Sequence, residues 1–221
     1  MPDTDRDGIA PGALQKVLVA ARDLGFLGPG PIDRHLRHAE GFTTLARAQT
    51  VAENPRMVDL GSGGGLPGLV VAGAWPDATM VLLEANERRA QFLDRAVFTC
   101  DLQQRVSVVH QRAELFGRDP AYRATFDGVV VRSFGTPAVV AECAAPLLRV
   151  GGWLIVSEPP GEDDGETEQS GRWPADLLEP LGLSPTEVVR AEFGYQILRQ
   201  VHLCPDRFPR RNGVPTKKPL F

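Results

Sequence analysis

Residues 58–68 read Val-Asp-Leu-Gly-Ser-Gly-Gly-Gly-Leu-Pro-Gly, a short apolar run that ends in an acid and then four glycines within five residues. Glycine reaches left-handed backbone geometry without a Cβ clash, so this run can turn tightly and let a ligand approach its amides. Most loops of this kind receive something negative. This one carries its own carboxylate, Asp59, which sits badly with a plain phosphate cradle. Gly63 to Gly68 also fits G-x-G-x-x-G, a weak pattern alone. Gly61, Gly63 and Gly65 alternate behind Asp59, and Glu84 closes the next apolar run. That is roughly the spacing at which an acid grips ribose hydroxyls in dinucleotide folds. Pro67 stands at the expected helix start, a tolerated place for proline.

Working outward, the chain alternates short apolar runs with helical segments. "MVDL" is expected as the first strand, with a helix from Gly68 to Trp75. "ATMVLLEA" follows as the second strand and "NERRAQFLDRAVFTC" as a helix. "RVSVVH" is the third strand and "FDGVVVRSF" the fourth. "PAVVAECAAPLLRVGG" reads as the helix behind it and "WLIVSEP" as the fifth strand. Strands apolar throughout and separated by helices imply a parallel sheet covered on both faces. The expected fold is therefore α/β, an open doubly wound Rossmann-like sheet that binds ligands beyond the carboxyl ends of its strands.

Upstream, "GALQKVLVAARDLGF" and "IDRHLRHAEGFTTLARAQTV" carry helical periodicity and read as an N-terminal helical cap. Downstream, "PTEVVRAEFGYQILRQVHL" reads as two β runs around Gly194, an antiparallel hairpin at the sheet edge. The acidic stretch 159–172 is expected to be a mobile loop. The segments are thus 1–54 (helical extension), 55–206 (main domain) and 207–221 (tail). The tail holds Arg207, Arg210, Arg211, Lys217 and Lys218 and no acid, with three prolines and a glycine set against regular structure. The whole chain carries a formal net charge of −4, so positive charge gathered at one end points to contact with a polyanion.

Composition closes off other classes. Hydrophobic residues make up 43% of 221, enough for a buried core. Cys100, Cys143 and Cys204 are odd in number and far apart, which speaks against a disulfide framework and suits the reducing cytosol. The four histidines form no metal-ligand cluster, the N-terminus has no signal-peptide h-region, and no apolar run reaches a membrane span. A cytoplasmic monomer is expected.

A ligand that explains the acid, the alternating glycines and Glu84 together has an adenosine, a cationic centre and an amino-acid end, but no pyrophosphate. S-adenosyl-L-methionine is such a ligand. Asp59 would lie near its ammonium or sulfonium region, directly or through the loop, and Glu84 would accept from the ribose hydroxyls. An NAD site, or a glycine turn that merely packs helix on strand, are the alternatives.

"VDLGSGGGLPG", "LLEANERRAQFL", "HQRAEL", "FDGVVVRSF", "LLRVGG" and "FPRRNGVPTKKPL" resemble, in order, the blocks of the RsmG (GidB) family over residues 56–158 and again in the tail. The resemblance implies a class I methyltransferase that uses S-adenosylmethionine to modify N7 of a guanine in the 530 loop of 16S ribosomal RNA. It carries cofactor contacts to Gly61, Leu66, Ala113, Glu114 and Arg132, and further basic positions to Arg88 and Arg112 near the presumed RNA face. The chain departs from the pattern at Glu84-Ala85-Asn86-Glu87-Arg88-Arg89, at Val131-Arg132-Ser133 and at Ser157-Glu158-Pro159-Pro160.

The implied chemistry asks little of side chains. Guanine N7 has an in-plane lone pair and no proton at neutral pH, so no general base is needed and rate comes from positioning. Arg132 and Arg112 are the candidate catalytic positions in that sense. A guanidinium beside a sulfonium is unfavourable unless it faces an anion, so Arg132 is expected to hold the methionine carboxylate or an RNA phosphate. Glu114 reads either as a cofactor contact or as a helix-start acid beside Arg112. Arg88 and the five tail cations are the candidate RNA contacts, with ribosomal RNA or the small subunit as partner. A paralogue acting on another RNA or a small molecule, an NAD-dependent oxidoreductase, and a non-catalytic RNA-binding module are the other readings.

Overall fold

The computed structural model describes residues 8–9, 12–159 and 169–221. The chain forms two compact units, one up to Gln111 and one from Arg112 onward.

In the first unit the elements are α1 (Ala13–Asp23), α2 (Ile32–Gln49), β1 (Arg56–Leu60), α3 (Gly68–Ala74), β2 (Thr79–Glu84), α4 (Glu87–Thr99) and β3 (Val106–His110). The strands run parallel in the order β3-β2-β1. Nearly every residue of β1 and β2 is buried, as a parallel sheet covered on both faces demands. Two helix ends carry clear local signals. Asn86 caps α4 by accepting from the Arg89 amide at 3.1 Å. Gly25, at φ +71°, closes α1, with the Phe26 amide reaching back to the Ala21 carbonyl at 2.8 Å. That turn delivers the 26–31 segment onto the glycine loop. Leu18, Ile32 and Ala39 from the helical pair share one apolar cluster with Leu66 and Val70.

The second unit holds α5 (Ala113–Phe116), β4 (Phe126–Val131), α6 (Pro137–Ala144), β5 (Leu148–Glu158), α7 (Gln169–Arg172), α8 (Ala175–Leu178), β6 (Leu183–Arg190), β7 (Gly194–Gln200) and α9 (Val214–Lys217). Its strand order is β4-β5-β7-β6, with β4 and β5 parallel and β7 antiparallel to both neighbours. The expected hairpin is thus present, with β6 outermost. Gly128 in β4 lies flat against the buried Trp153 indole, and a Cβ there would collide with the ring.

Four expectations need correction or limits. "LLRVGG" is expected at the end of a helix, but β5 already begins at Leu148, because the helical turn over Ala145–Leu147 gives way to extended backbone at Leu148, which pairs with Phe126. The tail was expected to lack regular structure, yet Val214–Lys217 forms a helical turn whose amides at 217 and 218 find carbonyls at 213 and 214. The boundaries at 54 and 206 fall inside the compact units, since the helical pair shares a core with the glycine loop and the tail is bonded into the second unit. Of the stretch expected to be a loop, residues 160–168 lie outside the described residues, and Gln169–Arg172 forms a helical turn.

Candidate functional site

The glycine loop is built around two carboxylates. Asp59, only 1% exposed, accepts the Gly68 amide on Oδ2 at 2.8 Å. A Cβ on Gly68 would stand 2.5 Å from that oxygen, so acid and glycine require each other. Asp59 therefore lies beneath the start of α3. Ser62 Oγ donates to the Asp59 carbonyl at 3.0 Å, and the Gly61 and Ser62 amides both donate to the Leu83 carbonyl. These bonds tie the loop to the end of β2.

The glycines differ in what they do. Gly61, Gly63 and Gly65 all have positive φ, at +79°, +55° and +98°. At Gly65 a Cβ would meet Leu69 at 2.5 Å, and at Gly64 it would meet the Phe26 carbonyl at 2.9 Å, so these two are needed for packing. Gly63 is different: nothing comes within 3.8 Å of the place a Cβ would take. Its amide points at Glu84, whose Oε2 it reaches at 2.9 Å. The Asn86 amide holds the other oxygen, Oε1, at 2.8 Å.

A carboxylate oxygen has two acceptor sites, so one amide on each leaves a second site on each oxygen. Two parallel acceptors fixed by backbone at a strand end suit a vicinal diol. Leu66 buries its side chain in the cluster with Val70, which leaves its backbone as the part able to touch a ligand. Arg88 is exposed in the first turn of α4.

In the second unit Ala113 and Glu114 open α5, both buried. Glu114 Oε1 accepts the Gly213 amide at 2.7 Å and pairs with Arg112 Nη2 at 3.2 Å. Burial alone would raise this carboxyl, but the amide and the Arg112 guanidinium outweigh it and hold the group below the ordinary range. Glu114 thus anchors the tail, a role its sequence setting did not suggest. Arg132 follows β4 and is half-buried. Ser133 behind it stands at φ +57°, a left-handed conformation that costs a non-glycine residue about 1 kcal/mol and concentrates at functional sites. Burial pushes the Tyr195 hydroxyl up, with the Arg132 charge acting against it.

The tail is bonded in rather than loose. Arg123 donates to the carbonyls of Phe208 and Cys204, and Arg118 Nε donates to that of Pro209 at 2.8 Å. Glu142, with its side chain 0% exposed, takes the Arg210 amide and Nε on Oε1, both at 2.8 Å, and Nη2 on Oε2 at 2.6 Å. A carboxylate so deeply buried needs a paired cation. Arg210, expected among the RNA contacts, has its guanidinium on Glu142 and on the Lys218 carbonyl. Arg207, Arg211, Lys217 and Lys218 are exposed, with Arg207 lying over the Phe208 ring at 4.9 Å. Sequence reading missed Glu142, Arg118 and Arg123. Only Glu142 carried a signal, being the single acid in the apolar run Pro-Ala-Val-Val-Ala-Glu-Cys-Ala.

Among the described residues no group of three or more His, Cys, Asp or Glu could hold a metal, and no helix is long and apolar enough to cross a membrane.

Comparison with known proteins agrees with this geometry. The chain is 35% identical over 191 residues to ribosomal RNA small subunit methyltransferase G of Moorella thermoacetica, covering 83% of this chain and 77% of that one. It is 30% identical over 191 residues to the protein of that name from Nostoc punctiforme, covering 85% and 78%. Among solved structures, the O-methyltransferase TomG from Streptomyces achromogenes in complex with SAM superposes with a TM-score of 0.62 at 19% identity, covering 87% of this chain and 91% of that one. An O-methyltransferase from Bacillus cereus in complex with SAH superposes at 0.60 and 16%, covering 87% and 92%. These two establish the Rossmann-like methyltransferase fold. The family profile of rRNA small subunit methyltransferase G matches residues 33–164, more than half of the 221, and the chain belongs to that family of S-adenosylmethionine-dependent enzymes.

Proposed function

We propose that this chain, as a cytoplasmic monomer, methylates N7 of a guanine in the 530 loop of 16S ribosomal RNA, either in free rRNA or in the small subunit. The observation that carries the reading is the Glu84 carboxylate, held by the Gly63 and Asn86 amides at 2.9 and 2.8 Å with an acceptor site open on each oxygen. S-adenosylmethionine, when bound, supplies an electrophilic methyl group on a sulfonium. Glu84 would hold its ribose hydroxyls, and the backbone of Gly61, Gly63, Gly65 and Leu66 would line the loop against it. Asp59 keeps that loop in shape from below. Ala113, Glu114 and Arg132 are carried into the cofactor set by family membership, Arg132 toward a carboxylate or phosphate.

The chain's own work is orientation. Guanine N7 needs no proton removed, so holding base and methyl donor in line supplies most of the acceleration. Arg88, Arg112, Arg207, Arg211, Lys217 and Lys218 are the cations proposed to meet the RNA backbone. The test has two stages. Calorimetric titration with S-adenosylhomocysteine should give binding that Glu84→Ala weakens. Incubation of unmethylated small subunits or 16S rRNA with enzyme and S-adenosylmethionine should then create one site of borohydride–aniline cleavage, the mark of 7-methylguanine, in the 530 loop. Binding of the cofactor product without that cleavage would overturn the substrate and leave the cofactor.

A further inference from the structure

We infer that Glu142, with Arg210 and the Gly213–Glu114 bond, pre-forms a cationic RNA-docking loop from the last residues of the chain. The inference rests on the proposed action on RNA and says which residues make the docking surface.

Three observations meet in this segment. First, it is closed on itself: Arg210 Nη2 donates to the Lys218 carbonyl at 2.7 Å, joining the two ends of a nine-residue loop. Second, it is fixed at two points to buried acids from other elements. Glu142 in α6 takes three donors from Arg210, and Glu114 in α5 takes the Gly213 amide. Pro215 is buried under the same turn. Third, everything basic that is not used in the clamp points outward. Arg211, Lys217 and Lys218 are exposed within or at the edge of the loop, and Arg207 is exposed just before it. Asp206, the acid just before the tail, pairs with Arg123 at 3.4 Å.

Buried acids holding exposed cations are a sensible division of labour. Four flexible side chains on a floppy tail would each lose freedom on binding, along with the backbone between them. A tail already fixed by Glu142 loses only rotamers, so it binds more tightly for the same contacts. A spaced row of cations with no apolar anchor among the exposed residues fits a phosphate backbone better than a protein groove. Glu142 is thus a positioning residue that never touches the substrate.

The test compares three forms of the full chain: wild type, Glu142→Gln, and the surface variant Lys217→Ala/Lys218→Ala. Each is assayed for methyl transfer to the RNA substrate, for S-adenosylhomocysteine affinity, and for amide exchange over residues 206–221. Glu142→Gln should raise KM for RNA about tenfold with kcat and S-adenosylhomocysteine affinity within about twofold of wild type. Exchange in the tail should speed up while the glycine loop stays protected. The surface variant should raise KM without changing tail exchange, which separates contact from positioning and does not depend on how Glu142→Gln folds. If tail exchange rises in Glu142→Gln but KM does not, the docking role is overturned while the methyltransferase reading stands. If the surface variant leaves KM unchanged, the tail is no RNA surface and the inference fails. If wild type binds S-adenosylhomocysteine but methylates no RNA, the substrate reading fails, and the inference with it.

Discussion

Asp59 Oδ2 lies 2.8 Å from the amide of Gly68, so the acid that ends β1 serves the first residue of α3. The pair explains why an acid precedes the glycine run. A buried carboxylate beside an unpaired amide nitrogen at a helix start is stabilising, and Gly68 leaves room for nothing larger. Asp59→Asn keeps an acceptor oxygen of the same reach, so S-adenosylhomocysteine affinity should fall by less than about threefold. Asp59→Ala strands the Gly68 amide, costs about 1–3 kcal/mol of stability and should loosen cofactor binding with it. Calorimetry and thermal melting on both variants decide the point. Equal losses in the two would restore a direct role for the negative charge.

Glu84 makes a sharper prediction, because its proposed partner is a specific hydroxyl pair. A hydrogen bond to a charged acceptor is worth about 1.5–3 kcal/mol, or roughly ten- to a hundredfold in affinity. Wild type should therefore discriminate S-adenosylhomocysteine from its 2′-deoxy analogue by at least tenfold. In Glu84→Gln that discrimination should shrink to a few-fold, while each ligand binds more weakly. Discrimination that survives the substitution would place the ribose elsewhere.

Much of this was readable in advance, for identifiable reasons. β1, β2 and β4 are short, mostly apolar runs, the first two closed by glycine or an acid and the third by Arg132, and burial on both faces leaves no other pattern available to them. The position of Glu84 was legible because an acid that closes an apolar run falls at the end of its strand. The clamp was not legible, since Glu142 and Arg210 are 68 positions apart and each is unremarkable next to its chain neighbours. Only the fold brings them together, and the tail's positive charge masked the fact that one of its arginines faces inward. The start of β5 differs from the expectation for a local reason. Leu-Arg-Val-Gly-Gly continues a helical apolar spacing, but its pairing with β4 overrides it.

The three cysteines give a prediction about reactivity. Burial pushes Cys100 and Cys204 up to about 11, and Cys143 higher still, with the charges of Glu114 and Glu142 adding to that last shift. The thiolate is the reactive form, so none of the three should react quickly with a disulfide reagent at pH 8. Labelling should proceed over hours in the native protein and stoichiometrically within minutes in guanidinium. A thiol that reacts within minutes in the native state would show that its cover opens on that timescale.

Glu114 supplies the pH dependence. Its ordinary value is 4.5, and in the folded chain it lies lower, because the Gly213 amide and Arg112 outweigh the cost of burial. A depressed carboxyl stabilises the fold fully above its unfolded value and loses that contribution as pH falls through the folded one. The tail anchor should therefore be constant from pH 7 down to about 5 and weaken below 4.5. Glu114→Gln removes the charge while keeping the shape, so its melting temperature should lie several degrees below wild type at neutral pH. The gap should close as pH falls below 4.5 and through the folded value, where wild type also loses its charge. Amide exchange at Gly213 should follow the same course, slow in wild type at pH 7 relative to the variant once intrinsic rates are divided out, and converging with it as the carboxyl protonates. A gap that stays constant over the whole acid titration would mean that shape, and not the carboxylate charge, holds Gly213 in place.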